Sequence, residues 1–283
     1  MSNVRLSKLH ATGNDFLVTK ADGVSVDAAI AASLCDRHRG VGADGLIVIG
    51  PGSDGADCTM TLFNADGGPA EMSGNGIRCL AWLAHREGLG DGNRLVVDTG
   101  GGRRNVDIEL DEVGDVVAAT VDMGAATFDP SAIPLDAPSA FDVAATFHGI
   151  TYDGDAVGMG NPHFVVVVDD PETAHVRSHG AKLEVDPRFP RRTNVEFIAV
   201  SGPDALTMRV WERGVGETLS CGTGACAAAA VAHRRGLVGN DVTVHVPGGV
   251  LRVELGDTVR LGGPVMHVFD VEVDIADFTR RSA

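Results

Sequence analysis

Cys221 stands directly ahead of Gly222-Thr223-Gly224 and an apolar run, and Ser73 stands directly ahead of Gly74-Asn75-Gly76 and another such run. If each run is a helix, each of these side chains sits at a helix N-terminus. Such a terminus presents unpaired N–H groups and about half a positive charge, which attract carboxylates and lower the pKa of a neighbouring thiol from about 8.5. Cys221 is therefore a candidate acid or base, although a small thiol packed under a helix fits the same position. The glycines let a ligand approach the backbone where no Cβ intervenes. Two small side chains on matching loops, each with one exchangeable proton, suit attack on opposite faces of one carbon. Inverting a stereocentre needs that arrangement: one group removes the α-proton, another delivers a proton from behind, and the two helix ends stabilise the developing charge. The chemistry indicated is that of a cofactor-independent racemase or epimerase.

The two loops lie 148 residues apart (221 less 73), and Gly13-Asn14-Asp15-Phe16 is answered by Gly160-Asn161-Pro162-His163-Phe164 at 147 (160 less 13). Two unrelated motifs recurring at nearly one offset indicate a duplicated unit, too long for a solenoid repeat. Two homologous domains with a site in the crevice between them are expected. Residues 1–122 with 268–283 form the first and 123–267 the second. The boundary falls near Met123–Ser139, where Gly, Pro and Ala collect, and the last strand returns to the first domain.

Short β-branched segments bounded by Gly, Asp or Asn predict strands at 16–20, 46–49, 58–63, 95–98, 106–110 and 116–121, then at 164–168, 195–200, 206–211, 242–246, 250–255 and 265–273. Helices are predicted at 27–38, 75–86, 171–179 and 225–233, with Gly88 and Gly236 as C-terminal stops. The segment 225–233 is apolar almost all round, as a buried helix is. The fold class is α+β: two pseudo-symmetric domains, each a curved, mostly antiparallel sheet or barrel wrapped around a central helix.

With 283 residues, 44% of them hydrophobic, the chain buries a sizeable core. A net charge of −16 argues against nucleic acid and membrane surfaces as partners and for a small molecule. The N-terminus lacks the apolar core of a signal peptide and no run is long enough to span a membrane, so a cytoplasmic location is expected, with the five cysteines as free thiols. Only three lysines occur, none in a Schiff-base context, and ten histidines show no ligand spacing, so neither pyridoxal phosphate nor a metal is expected. Residues 40–45 and 50–55 fit G-x-G-x-x-G, but neither joins a strand to a helix, so both read as turns.

LHATGNDF, FNADGGPAEMSGNGIRCLA, GNPHFV, TNVEF and ERGVGETLSCGTGACAAAA occur in that order along essentially the whole chain. Here the sequence resembles the diaminopimelate epimerase family. The resemblance implies interconversion of LL- and meso-2,6-diaminopimelate, in lysine and peptidoglycan precursor biosynthesis, by a homodimer without cofactor. It makes Cys221 and Ser73 the acid/base pair, with His163 and Glu212 also in catalytic positions. It assigns substrate binding to Asn14, Asn64, Gly74, Asn75, Asn161, Asn194, Glu212, Arg213, Gly222 and Thr223. Physically, a buried zwitterion must have its charges paired; Arg213 suits a carboxylate and Glu212 an ammonium. Asn14 and Asn64 equally suit turns, Glu212 and Arg213 an exposed pair at a strand end, and His163 a structural role.

The family motif carries cysteine where this chain has Ser73, and often glutamine where it has Gly45. A hydroxyl is far harder to ionise than a thiol. Three readings follow: Ser73 works through a proton relay, the serine is an introduced disabling change, or the chain is a relative that no longer epimerises. Other function classes are a related isomerase or dehydratase with Cys221 as its single base, and a non-catalytic protein that binds diamino acids.

Overall fold

The computed structural model describes residues 3–21, 26–147 and 149–279. The chain divides into two compact units, Met1–Val121 with Gly263–Ala283, and Asp122–Gly262.

In the first unit β1 (Asn3–Ala11), β2 (Asn14–Lys20), β3 (Gly45–Pro51), β4 (Cys58–Asn64), β6 (Arg94–Thr99), β7 (Gly102–Leu110) and β8 (Val116–Asp122) pair in succession, and the two-residue β5 (Pro69–Ala70) lies on β4. The steps β2–β3 and β4–β6 are parallel and the others antiparallel. In the second unit β10 (Ile150–Gly158), β11 (Pro162–Val167), β12 (Asn194–Gly202), β13 (Ala205–Glu212), β15 (Asp241–Val246), β16 (Gly249–Leu255) and β17 (Val259–Pro264) repeat that order, with β14 (Gly216–Thr218) on β13. Again the second and fourth steps, β11–β12 and β13–β15, are parallel. The free flank of β10 is covered by β9 (Val143–Phe147). On β1 the matching place is taken by β18 (Met266–Asp274), from the far end of the chain.

Each unit has one helix among its strands. α2 (Gly74–Arg86) packs against β1 to β4, and α4 (Gly222–Arg234) against β10 to β13, β15 and β16. The apolar character of α4 has the expected consequence: Gly224 to Ala232 are all buried. Its alanines let six strands approach closely. α2 buries larger side chains, Ile77, Leu80 and Leu83, and with them the fully enclosed Arg78. Gly88 and Gly236, at φ +72° and +71°, end these helices in the left-handed conformation that glycine adopts without Cβ strain. The α+β class expected from the sequence is the one observed.

The outer helices differ from expectation. α1 runs Ala28–Cys35, capped by Asp27, and stops because the Asp36 carboxylate takes the N–H groups of His38 and Arg39 and turns the chain. α3 runs Val176–Leu183 rather than 171–179. The Asp170 carboxylate accepts from the Glu172 N–H at 2.9 Å and holds the segment before it as a turn. The strands that sequence patterning passed over include β10 and β17, which carry paired polar or glycine residues in their interiors.

Candidate active site

In the second unit Cys221 is the N-cap of α4, in extended conformation, with its Sγ accepting from the Gly224 N–H at 3.4 Å and lying 3.5 Å from Thr223 Oγ1. A Cβ on Gly224 would stand 2.8 Å from Glu196 Oε1 and 3.2 Å from Cys221 Cβ, so glycine is required for the turn to close over these groups. The expected lowering of the thiol pKa is not what the structure gives. Burial pushes the Cys221 thiol well above its ordinary value, the Glu212 and Glu196 carboxylates add to the shift, and the Thr223 and Gly224 hydrogen bonds oppose it without prevailing. The resting group is a thiol.

Glu212, at the end of β13, accepts a hydrogen bond from Thr218 Oγ1 and lies near enough to Cys221 for the charge of each to bear on the other. Its carboxyl is itself raised by burial, so it holds a proton more readily than an exposed carboxylate. A carboxylate so tuned can take the thiol proton and return it. The pair sits at the N-terminal cap of α4.

His163, fully buried on β11, holds Glu196 Oε1 at 2.7 Å with Nδ1 and Asn161 Oδ1 at 2.9 Å with Nε2. Asn161 in turn reaches Thr223 Oγ1 at 3.4 Å through Nδ2. Asn194 donates to the Pro162 carbonyl at 3.0 Å and accepts from the Arg213 N–H at 2.9 Å, tying β11 to the end of β13. The Arg213 guanidinium is exposed and donates to the Arg191 carbonyl at 3.2 Å. Gly222 and Thr223 open α4. The second unit thus brings Asn161, His163, Thr223 and Cys221 into one hydrogen-bonded set, with Glu212 beside the thiol and Asn194 bracing the strands beneath it.

In the first unit Ser73 is the N-cap of α2, its Oγ accepting from the Gly76 N–H at 3.0 Å. Gly74 and Asn75 follow it. Asn75 donates to Asn14 Oδ1 at 3.3 Å and accepts from Arg78 Nη2 at 2.9 Å, while Arg78 Nη1 reaches the Gly74 carbonyl at 3.1 Å. Asn14 follows the tight turn of Thr12 and Gly13, which sit at φ +49° and +82°. Its amide donates to Asp44 at 2.8 Å, within a cluster of Lys8, Asp15, Arg37 and Asp44. Asn64 is exposed at the end of β4. Where the family often has glutamine, a Cβ on Gly45 would meet the Phe63 carbonyl at 2.7 Å and the Phe16 ring at 3.2 Å.

Among the buried ionic side chains that escaped the sequence reading, Glu196 and Arg78 lie next to the two caps. Each lies inside a quoted motif, where only its identity in an otherwise enclosed element marks it. The remaining thiols are buried; Cys79, six residues beyond Ser73, is fully enclosed and pushed up to about 12.

A family model for diaminopimelate epimerase matches residues 6–128 and 155–266. The chain is 41% identical over 277 residues to the diaminopimelate epimerase of Pelotomaculum thermopropionicum, covering 95% of this chain and 98% of that one. It is 45% identical over 278 residues to that of Xanthomonas euvesicatoria, covering 95% and 96%. Among solved structures, a hydroxyproline epimerase from Agrobacterium vitis superposes with a TM-score of 0.73 at 17% identity, covering 96% of this chain and 92% of the other. A phenazine biosynthesis protein of the PhzF family from Bacillus anthracis gives 0.68 at 16%, covering 96% and 99%, and these two likenesses concern the fold alone. By the length and identity of the matches to its relatives, this chain belongs to the diaminopimelate epimerase family and is an isomerase.

Proposed function

We propose that the protein interconverts LL- and meso-2,6-diaminopimelate by moving the α-proton between side chains of its own, without a cofactor, on the route to lysine and peptidoglycan precursors. The observation that carries this reading is the Cys221–Glu212 couple at the N-terminus of α4, where a thiol, a carboxylate raised by burial and free helix N–H groups meet. Glu212 accepts the thiol proton, the Cys221 thiolate takes the α-proton from one face, and the helix end stabilises the carboxylate of the carbanion. Inversion needs a proton delivered to the other face, and by the internal repeat that duty falls to Ser73, which passes on a proton taken from solvent as Glu212 releases its own to solvent, so that no alkoxide remains. Its hydroxyl accepts the Gly76 N–H, which orients it as a donor. Asn14, Asn64, Gly74, Asn75, Asn161, Asn194, Arg213, Gly222 and Thr223 bind the substrate in this scheme, and His163 supports the couple.

Proton exchange in D₂O, followed by NMR with the LL and meso substrates separately, tests the scheme on this protein and on Ser73→Cys. Deuterium entering with inversion establishes a working serine/cysteine pair. Exchange without inversion leaves only the Cys221 face active, and inversion appearing only in Ser73→Cys marks the serine as disabling. Silence in both overturns the epimerase reading.

The working form in this proposal is a cytoplasmic homodimer. Met266, Val268 and Phe269, exposed by 57%, 53% and 42% on β18, supply an apolar surface for self-association. Sedimentation equilibrium reads it directly, and a monomer at assay concentration would remove it.

A further inference from the structure

Glu196 is fully buried on β12, yet no step of the proposed reaction uses it. Its Oε1 lies 2.7 Å from His163 Nδ1, and Oε2 makes no hydrogen bond to another residue among those described. Such a carboxylate is expensive to enclose, and the fold itself does not need it. In the first unit the same two register positions are held by Phe16 and Ile47: Phe16 faces Gly45 on the parallel neighbour as His163 faces Asn194, and Val18 faces Ile47 as Val165 faces Glu196. The glycine three residues beyond each cap confirms the equivalence, because a Cβ on Gly76 would meet Ile47 Cδ1 at 3.1 Å where one on Gly224 would meet Glu196 Oε1. One copy of the unit packs this place with apolar groups. The other keeps an ion-pairing couple there.

We infer that Glu196 is a positioning residue that holds the His163 ring with a proton on Nε2, and so fixes the direction of a hydrogen-bond chain from His163 through Asn161 and Thr223 to the Cys221 sulfur. The proton shared between Nδ1 and Oε1 occupies that ring nitrogen's lone pair. Nε2 faces the Asn161 carbonyl oxygen at 2.9 Å, because the Asn161 amide nitrogen is directed at Thr223, so Nε2 is a donor. Thr223 Oγ1, accepting from Asn161, turns its own hydrogen toward Sγ at 3.5 Å. The sulfur then receives two donors, the Thr223 hydroxyl and the Gly224 N–H, which is the environment a thiolate needs once Glu212 has taken its proton. The ionisable groups around this chain are Glu196 on β12, Glu212 on β13 and Cys221 at the cap of α4. The inference rests on the reading above only in treating Cys221 as the reacting group.

The test is ¹⁵N–¹H correlation of the imidazole nitrogens in the full chain labelled at histidine, without substrate, with His163 assigned by its disappearance in His163→Gln. A proton on Nε2 near neutral pH is expected from the two hydrogen bonds that the ring makes. In Glu196→Gln the glutamine carbonyl accepts Nδ1–H without supplying a charge, so the ring is expected to become the Nδ1–H tautomer with a bare Nε2. A bare Nε2 in the unaltered protein near neutrality overturns the inference, as does an unchanged His163 spectrum in Glu196→Gln. Should that variant fail to fold, the spectrum of the unaltered protein near neutrality decides alone. Proton exchange with a bare Nε2 would sink the inference and leave the epimerase reading standing; a protonated Nε2 without exchange would do the reverse.

Discussion

The two units share a strand order, two parallel steps at the same places, and a capped central helix, yet they enclose opposite charges beneath the two caps. Around Cys221 lie Glu196 and Glu212; around Ser73 the enclosed ionic group is Arg78. The exchange is position by position. Phe16, Ile47 and Asn64 stand where the other copy has His163, Glu196 and Glu212, and Arg78 stands five residues beyond its cap where Cys226 does. Duplication supplied two equivalent anion-attracting helix ends. One of them carries a thiol beside buried carboxyls, and the other a cation that braces the asparagines.

The largest effect expected from this contrast is kinetic. Cys221→Ala should lower α-proton exchange by about 10³-fold or more, and Ser73→Ala by less than about tenfold for the isomer whose proton faces Cys221, since general acid–base groups typically supply 10²–10⁴. Equal losses in the two variants, measured by deuterium uptake, would break the comparison. Next is stability. Arg78→Met strips the cap region of bonds to Gly74, Asn75, Thr12 and the Pro264 carbonyl, and urea unfolding should show a loss of about 2–4 kcal/mol, against about 1 kcal/mol for Cys226→Ala. A harmless Arg78→Met would mean that the cation is not a brace.

The glycines at the third position of each helix sharpen the contrast further. Gly224→Ala drives a methyl onto a carboxylate oxygen held by His163 and should cost about 1–3 kcal/mol and most of the activity, whereas Gly76→Ala meets the flexible tip of Ile47 and should cost under about 1 kcal/mol. Similar melting temperatures would refute the difference. The smallest effect is titration in the first unit. Burial alone would raise the Asp15 carboxyl, but hydrogen bonds from Arg37 and Lys8 hold it well below the usual range. A depressed carboxylate contributes stability above its unfolded pKa of about 3.9 and loses it as the pH falls through the folded value. Acid titration should therefore destabilise the unaltered protein below about pH 4 more steeply than Asp15→Asn, and parallel curves would exclude Asp15 as the cause.

Much of this was legible in the chain. The offset repeat exposed the duplication, and the small residues ahead of Gly-x-Gly exposed both caps, because N-caps and glycine stops are local chemistry. Helix ends governed by aspartate turns were not: Asp36 ends α1 and Asp170 delays α3 through side-chain bonds to backbone two or three residues on, which apolar periodicity does not register. Glu196 was hidden because β12 is enclosed on both faces, so Asn194 to Ile198 are all buried and no alternation marks the one acidic side chain. The raised thiol was hidden because burial, its main cause, is set by strands packed around the cap, one of them bearing Glu196 some way back along the chain.

The strand β18 has a bearing on how the protein is made. It occupies beside β1 the place that β9 occupies beside β10, but β9 is synthesised just before its partner, and β18 only after the 141 residues of Asp122–Gly262 have left the ribosome. The second unit is contiguous and can close on its own. The first, although begun earlier, carries β1 as an uncovered edge until residue 274 emerges. Birth order and folding order are therefore inverted, and the half that carries Cys221 is complete before the half that precedes it.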